Sequence, residues 1–168
     1  MKVLLAGDFD PGEDEVWRRA LAAALPEAHW CSRAELDAGQ VAAGEIVAAV
    51  VANPPPGSLR GLPRLALIQS LWAGVDRLLA DPTLPAGVPV ARMVDPAMTA
   101  AMAETALWAV LSLHRGFFAY QQRQREGVWR QHAQRRADEV PVAVLGQGEM
   151  GRAVAARLAA LGYPVQGW

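Results

Sequence analysis

The sequence is poor in cysteine, since Cys31 is the only one among 168 residues. No disulfide can form within the chain, which fits a reducing compartment. A lone thiol in an apolar setting usually packs as a small hydrophobic group. We therefore expect Cys31 to be buried and structural.

An excess of positive charge is also missing. The chain has 16 basic and 17 acidic residues, for a net charge of -1. Nucleic-acid-binding proteins usually show a basic excess or a basic stripe. The densest basic stretch, residues 123–136, also contains Glu126 and several glutamines, which is typical of a solvated helix end. The sequence thus predicts no nucleic-acid partner.

Long uncharged hydrophobic runs are absent as well. The apolar run over residues 1–6 is too short for a signal peptide and has no small-residue cleavage site. The apolar segment around Trp108 is short and follows Glu104, so we expect no membrane span. With 52% hydrophobic and 20% charged residues, the chain should form a packed core. We expect a cytoplasmic enzyme or binding module.

Short apolar segments alternate with helical patterns over the first 95 residues. A helix is predicted from Pro11 to Pro26, with acidic residues in its first turn. Strands that are apolar throughout are typical of a parallel sheet with helices on both faces. The predicted strands are residues 2–6, 46–51, 65–70 and 88–93, with a weaker one at 29–31. We predict an α/β fold whose first domain, residues 1–95, is a flavodoxin-like parallel-sheet substrate domain.

A long helix is predicted next, over residues 96–125. It is apolar on nearly all sides between residues 100 and 113, so we expect it to be buried between domains or subunits. Residues 96–139 would form this interdomain or dimer helix and a polar linker. A strand at 140–145, a glycine turn and a helix at 152–161 then restart the α/β pattern, with a strand at 163–168. Residues 140–168 would be the first βα unit of an incomplete Rossmann domain that binds NAD(P).

The glycine turn between residues 146 and 151 has the pattern G-x-G-x-x-G. It follows an apolar strand and opens a helix, the context in which this pattern binds dinucleotides. The first glycine permits the turn, the second lets a pyrophosphate approach, and the third lets the helix pack closely. The candidate cofactor-binding residues are Gly146, Gln147, Gly148, Glu149, Met150 and Gly151. The Glu149 carboxylate must point away from a pyrophosphate, and a turn without a ligand is the alternative.

A second glycine-containing loop, residues 71–76, follows the strand at 65–70. Loops at the carboxyl ends of parallel strands are where α/β sheets bind ligands. Backbone N–H groups in such a loop can hold a carboxylate. An ordinary strand-to-helix turn is the equally simple alternative.

Three blocks in this order resemble the D-isomer-specific 2-hydroxyacid dehydrogenase family. They are QSLWAGVD at 69–76, MAETA at 102–106 and VLGQGEMG at 144–151. Residues 53–55, 127–129 and 161–165 add to the likeness, which covers most of the chain beyond residue 50. The most similar subgroup is the glyoxylate/hydroxypyruvate reductase A type.

The resemblance implies a function and roles for several residues. It implies NAD(P)H-dependent reduction of glyoxylate or hydroxypyruvate, with NADP favoured over NAD, by a homodimer joined through the long helix. Ala73 and Gly74 would offer N–H groups to the substrate carboxylate, and Trp72 would shape the pocket. Glu104 belongs to the block that opens the long helix, and the resemblance assigns it no catalytic role.

The family's catalytic groups are an arginine, a histidine acid/base and its carboxylate partner. The resemblance places all three beyond this chain, so we assign no catalytic residue here and expect 168 residues alone to be inactive. His29 and His132 are expected at the surface and His114 in a packed or interface position. No two histidines have metal-ligand spacing, so no metal site is predicted.

Two other hypotheses stay open at this point. One is a non-catalytic flavodoxin-like binding or dimerisation module. A receiver domain would need an aspartate where Asn53 stands. A flavin-binding domain would need a phosphate-binding loop where the acidic segment 8–10 stands. The other is a truncated pseudoenzyme. In every case residues 140–168 alone would leave a sheet edge unpaired, so we expect them to be covered by other chain segments or mobile.

Overall fold

The computed structural model describes all 168 residues, apart from the side chain of Pro11. The chain divides into two compact units, Met1–Val94 and Asp95–Trp168. Each unit has its own sheet.

The first unit contains a five-stranded sheet in which all neighbouring strands are parallel. Its strands lie in the order β2-β1-β3-β4-β5, which is the flavodoxin order. They are β1 (Lys2–Gly7), β2 (His29–Ser32), β3 (Ile46–Ala52), β4 (Leu67–Ser70) and β5 (Val90–Ala91). The predicted fold class is confirmed, although β4 and β5 are shorter than the apolar runs that predicted them.

Both faces of this sheet are apolar. Leu4, Ile46 and Ile68 are fully buried in one hydrophobic cluster. Val3 and Leu5 belong to a second, separate cluster. Successive residues of a strand point to opposite faces, so β1 contributes to both clusters. This explains why its sequence reads as a continuous hydrophobic run.

Cys31 lies in the first of these clusters and is 3% exposed. Its thiol donates to the Val3 carbonyl over 3.4 Å. Burial, followed by the nearby negative charge of Glu35, raises the pKa of the thiol. The prediction of a buried structural cysteine is confirmed.

The helices of the first unit are α1 (Pro11–Ala24), α2 (Arg33–Asp37) and α3 (Asp76–Leu79), with a 3₁₀ turn at Ala43–Glu45. The Asp10 carboxylate caps α1 by accepting the Glu13 N–H at 2.8 Å. Such a cap satisfies an N–H that has no partner within the helix. The start at Pro11 and the end before Pro26 agree with the sequence prediction.

The second unit contains α4 (Pro96–His114), α5 (Phe117–Arg125), β6 (Val142–Val144), α6 (Glu149–Ala160) and β7 (Val165–Gly167), with a 3₁₀ turn at Ala137–Glu139. Strands β6 and β7 are parallel and directly paired. Helix α6 connects them, which makes a βαβ unit. The predicted restart of the α/β pattern after residue 140 is confirmed.

The single helix predicted over residues 96–125 is wrong, because the chain breaks at Arg115–Gly116. Gly116 has φ +67°, and a Cβ there would lie 2.5 Å from the His132 ring. His132 also packs on Tyr120 with ring centroids 4.6 Å apart. His132 is therefore half-buried, whereas His29 is exposed as expected.

Helix α4 is far less buried than its composition predicts. Met102, Trp108 and Leu113 are 47%, 61% and 71% exposed. Only Ala103 and Ser112 are buried. By length and composition alone, α4 is also apolar enough to cross a bilayer, whereas the sequence pattern predicts no membrane span. Within this chain, then, most of an apolar helix surface stays uncovered.

His114, at the end of α4, is packed as predicted. Its Nδ1 lies 2.6 Å from the hydroxyl of buried Tyr163, and its Nε2 lies 3.0 Å from the Arg135 carbonyl. A carbonyl can only accept, so the Nε2–H donates to the Arg135 carbonyl. This histidine ties three segments of the second unit together.

Candidate functional site

The turn at residues 146–151 joins β6 to α6 and depends on two of its glycines. Gly146 has φ +90°, a conformation that side chains rarely adopt. A Cβ on Gly151 would lie 1.8 Å from the Gly146 carbonyl oxygen. The helix therefore begins in direct contact with the turn, and no larger residue fits at position 151.

Gly148 has opposite surroundings. It is the N-cap of α6 and supplies no side-chain hydrogen bond, whereas α1 and α4 are capped by Asp10 and Asp95. A Cβ on Gly148 would meet nothing within 4 Å. The first N–H groups of α6 thus have no capping side chain and face open space, an arrangement that suits phosphate oxygens.

The side chains between these glycines leave that approach open. The Glu149 carboxylate pairs with Arg152 at 2.9 Å on the exposed helix surface. The Gln147 amide nitrogen donates to the Val144 carbonyl at 3.3 Å and fills the space beside Gly167. Gln147 therefore covers the ends of β6 and β7, a role that the sequence pattern did not reveal.

Helix α6 is held on α4 by a polar contact. Arg157 donates to the Ala100 carbonyl at 3.1 Å, and its guanidinium lies 3.8 Å from the Glu104 carboxylate. An exposed pair at this distance contributes little energy but helps fix orientation. Glu104 thus lies beside α6 within the second unit.

The second candidate turn follows β4, at the carboxyl edge of the five-stranded sheet. Buried Ser70 accepts the Trp72 N–H and donates to the Trp72 carbonyl, both at 3.0 Å. The same carbonyl accepts the Met93 N–H at 3.3 Å. The Trp72 ring is partly exposed beside this fixed backbone.

Ala73 and Gly74 continue the turn. The Ala73 carbonyl accepts from Arg92, whose Nη1 lies 3.4 Å away. In the part of the chain that the structure describes, the N–H groups of Ala73 and Gly74 have no acceptor. Two adjacent uncommitted donors at the carboxyl edge of a parallel sheet can hold a carboxylate.

Metal binding has no support in the described residues. No three histidine, cysteine or acidic side chains among them come close enough together to hold an ion.

By fold and site the chain is an α/β protein with a dinucleotide-type glycine turn. Residues 107–168 match the family model of the D-isomer specific 2-hydroxyacid dehydrogenase NAD binding domain. Glyoxylate/hydroxypyruvate reductase A of Serratia proteamaculans is 38% identical over 125 residues, which are 71% of this chain and 40% of that protein. The Citrobacter koseri protein of the same name is 34% identical and aligns over 90% of this chain and 48% of its own length.

Solved structures show the same relationship. A D-isomer specific 2-hydroxyacid dehydrogenase from Xanthobacter autotrophicus, in complex with NADPH, is 37% identical with a TM-score of 0.84. The NADPH-dependent glyoxylate/hydroxypyruvate reductase of Sinorhizobium meliloti, in complex with NADP, is 34% identical with a TM-score of 0.85. Each superposition covers 99% of this chain and 52% of the other. The chain belongs to the D-isomer-specific 2-hydroxyacid dehydrogenase family and spans about half the length of the relatives it matches.

Proposed function

We propose that this chain is the N-terminal part of a reductase that converts glyoxylate, hydroxypyruvate or a similar 2-oxo acid to the 2-hydroxy acid. The observation that carries the proposal is the glycine turn at residues 146–151, with tight packing at Gly151 and open space at Gly148. Similarity to reductases of that substrate class supports it.

The cofactor is NAD(P)H, which supplies the hydride when bound. The N–H groups at the start of α6 would hold its pyrophosphate, across residues Gly146 to Gly151. NADP is favoured because two similar solved structures hold NADPH or NADP. The Glu149 carboxylate would stay on Arg152, away from the phosphates.

The substrate carboxylate would lie at the turn after β4. The N–H groups of Ala73 and Gly74 would hold its oxygens, and the Trp72 ring would form a wall of the pocket. We assign no acid/base residue in this chain, since none of its three histidines corresponds to the family histidine. The residues of this chain would then bind and orient the cofactor and the substrate.

The proposal is tested by an activity assay on a protein that contains this chain and is as long as its relatives. This protein should oxidise NADPH when glyoxylate or hydroxypyruvate is added, and it should oxidise NADH more slowly. The 168 residues alone should give no turnover. If the longer protein binds no dinucleotide and reduces no 2-oxo acid, the chain is a binding module and the proposal is wrong.

We also propose a cytoplasmic homodimer joined through α4 and α5. The exposed apolar residues of this face include Met102, Trp108, Leu113, Phe117 and Phe118. Trp129, beyond α5, is 94% exposed. An apolar surface of this kind on one chain is typical of a protein–protein interface. A second copy of the chain would cover it.

A further inference from the structure

The turn after β4 is held at its carbonyl groups. The Trp72 carbonyl accepts from Ser70 and Met93. The next carbonyl, that of Ala73, accepts from Arg92. The two N–H groups that follow these carbonyls are the ones without an acceptor in the described chain. In each of these two peptide units the carbonyl accepts a hydrogen bond, and the N–H has no acceptor within the described chain.

Peptide geometry determines the direction in which these two N–H groups point. A trans peptide unit is planar, and its carbonyl and N–H point to opposite sides. The chain has no cis peptide bond. Binding the Trp72 carbonyl therefore aims the Ala73 N–H to the opposite side. Binding the Ala73 carbonyl does the same for the Gly74 N–H.

We infer that Ser70 and Arg92 are positioning residues that aim the Ala73 and Gly74 N–H groups at a substrate carboxylate. This inference rests on the proposed function, which places the carboxylate at those two groups. Neither side chain needs to touch the substrate. Each acts through the backbone carbonyl that it binds.

The two side chains are suited to this role in different ways. The Ser70 side chain is buried, and its hydroxyl bonds both to the N–H and to the carbonyl of Trp72, which leaves that residue little freedom. Arg92 follows β5, the neighbour of β4 in the sheet, and it makes no ion pair in the described chain. Its charge polarises the Ala73 peptide and strengthens the Gly74 N–H as a donor.

Amide NMR on the 168-residue chain tests the inference, with oxamate as an unreactive analogue of a 2-oxo acid. The test variants are Ser70→Ala, Arg92→Met and Arg92→Lys. Ser58→Ala is the matched serine control, because the Ser58 hydroxyl also donates to a backbone carbonyl, that of Pro55. Arg64→Met is the matched arginine control, because Arg64 precedes β4 and so lies at the opposite edge of the sheet.

In the unmodified chain, the amide of Trp72 should exchange slowly with solvent, and those of Ala73 and Gly74 quickly. Oxamate should then shift the Ala73 and Gly74 signals. Ser70→Ala and Arg92→Met should each weaken binding about fivefold to tenfold, the scale of one charge-assisted or buried hydrogen bond. Arg92→Lys should recover part of the loss, and both controls should bind as the unmodified chain does.

The possible outcomes distinguish a failure of the positioning inference from a failure of the proposed carboxylate site. If oxamate shifts neither amide in the unmodified chain, the proposed carboxylate site is wrong. If it shifts both, and Ser70→Ala and Arg92→Met bind it equally well, the site stands and the positioning inference is wrong. If Arg92→Met unfolds the first unit, the Lys variant decides: it must bind oxamate more weakly than the unmodified chain for the inference to hold.

Discussion

At the scale of single residues, Gly148 and Gly151 occupy one turn but meet different surroundings. A side chain at position 151 would collide with the Gly146 carbonyl, whereas one at position 148 would extend into open space. Gly151 is thus required by packing within the chain, whereas Gly148 is required only if a ligand approaches.

The substitution Gly151→Ala should destabilise the second unit. The added Cβ would overlap backbone that cannot move without displacing the turn, so the loss should be about 1–3 kcal/mol or more. Urea unfolding followed through the amide signals of α6 would measure it. Gly148→Ala is the control, with an expected loss of about 1 kcal/mol or less. Equal stability of the two variants would contradict this account of the turn.

Asp81 is a residue whose charge stabilises the first unit. Its carboxylate accepts from the Thr83 hydroxyl at 2.7 Å, the Thr83 N–H at 2.8 Å and the Gly57 N–H at 3.3 Å. These hydrogen bonds, the hydroxyl first, lower the pKa of Asp81. Since the folded pKa is below the unfolded one, the stabilisation is present above the unfolded value of about 4 and is lost as pH falls through the folded value.

Asp81→Asn should therefore be less stable than the unmodified chain at pH 7, and the difference should shrink between pH 5 and pH 2. Urea midpoints at several pH values would show it. The control is Asp8→Asn, because the exposed Asp8 carboxylate makes no hydrogen bond within the described chain. A difference that stays constant with pH would contradict the assigned cause.

At the scale of elements, the sequence predicted what hydrophobic pattern and glycine spacing encode. Strands β1 to β3, the start of α1 and the βαβ unit all follow from such local signals. The break at Gly116 was missed, because the apolar pattern continues across it. Gly116 ends α4 in a left-handed conformation with φ +67°, which is a common way for a helix to end. The His132 ring, 16 positions later in the sequence, occupies the space where a Cβ would lie. The bond from Arg92 to the Ala73 carbonyl was also not predicted, since Arg92 reaches this turn only when β4 and β5 pair.

Gly116→Ala should lower the melting temperature of the second unit. A left-handed backbone costs a residue with a Cβ about 1–2 kcal/mol, and here the Cβ would also press on the His132 ring. Adding His132→Ala should relieve the contact and leave the backbone cost. A melting temperature of Gly116→Ala equal to that of the unmodified chain would show that the helix break has another cause.

At the scale of the whole molecule, apolar surface remains exposed in the second unit. Leu145 and Trp168, beside the two-stranded sheet, are largely exposed, as is the face of α4 and α5. Exposed patches of this kind mark surfaces that another chain segment or subunit covers. The expectation that residues 140–168 are covered or mobile stays a prediction.

A homodimer through α4 predicts that light scattering gives about twice the chain mass of 18.0 kDa. Trp108→Asp should return the mass to that of one chain, because it places an unpaired charge in an apolar interface. Val16→Asp, at an exposed apolar position on α1, should leave the dimer intact. A mass of one chain for the unmodified protein, or its binding to lipid vesicles through α4, would contradict the dimer.

Amide NMR with NADPH tests most directly whether the glycine turn at residues 146–151 holds a dinucleotide. The sample is a protein that carries this chain and has the length of its relatives, since residues 140–168 alone are an incomplete Rossmann unit. NADPH should shift the amide signals of residues 146–151 in the unmodified protein. In Gly148→Ala, which should keep the fold, those shifts should need at least about tenfold more NADPH, because the methyl group occupies the approach of the pyrophosphate. Absence of shifts in the unmodified protein, or equal binding by the variant, would show that the turn does not hold a dinucleotide.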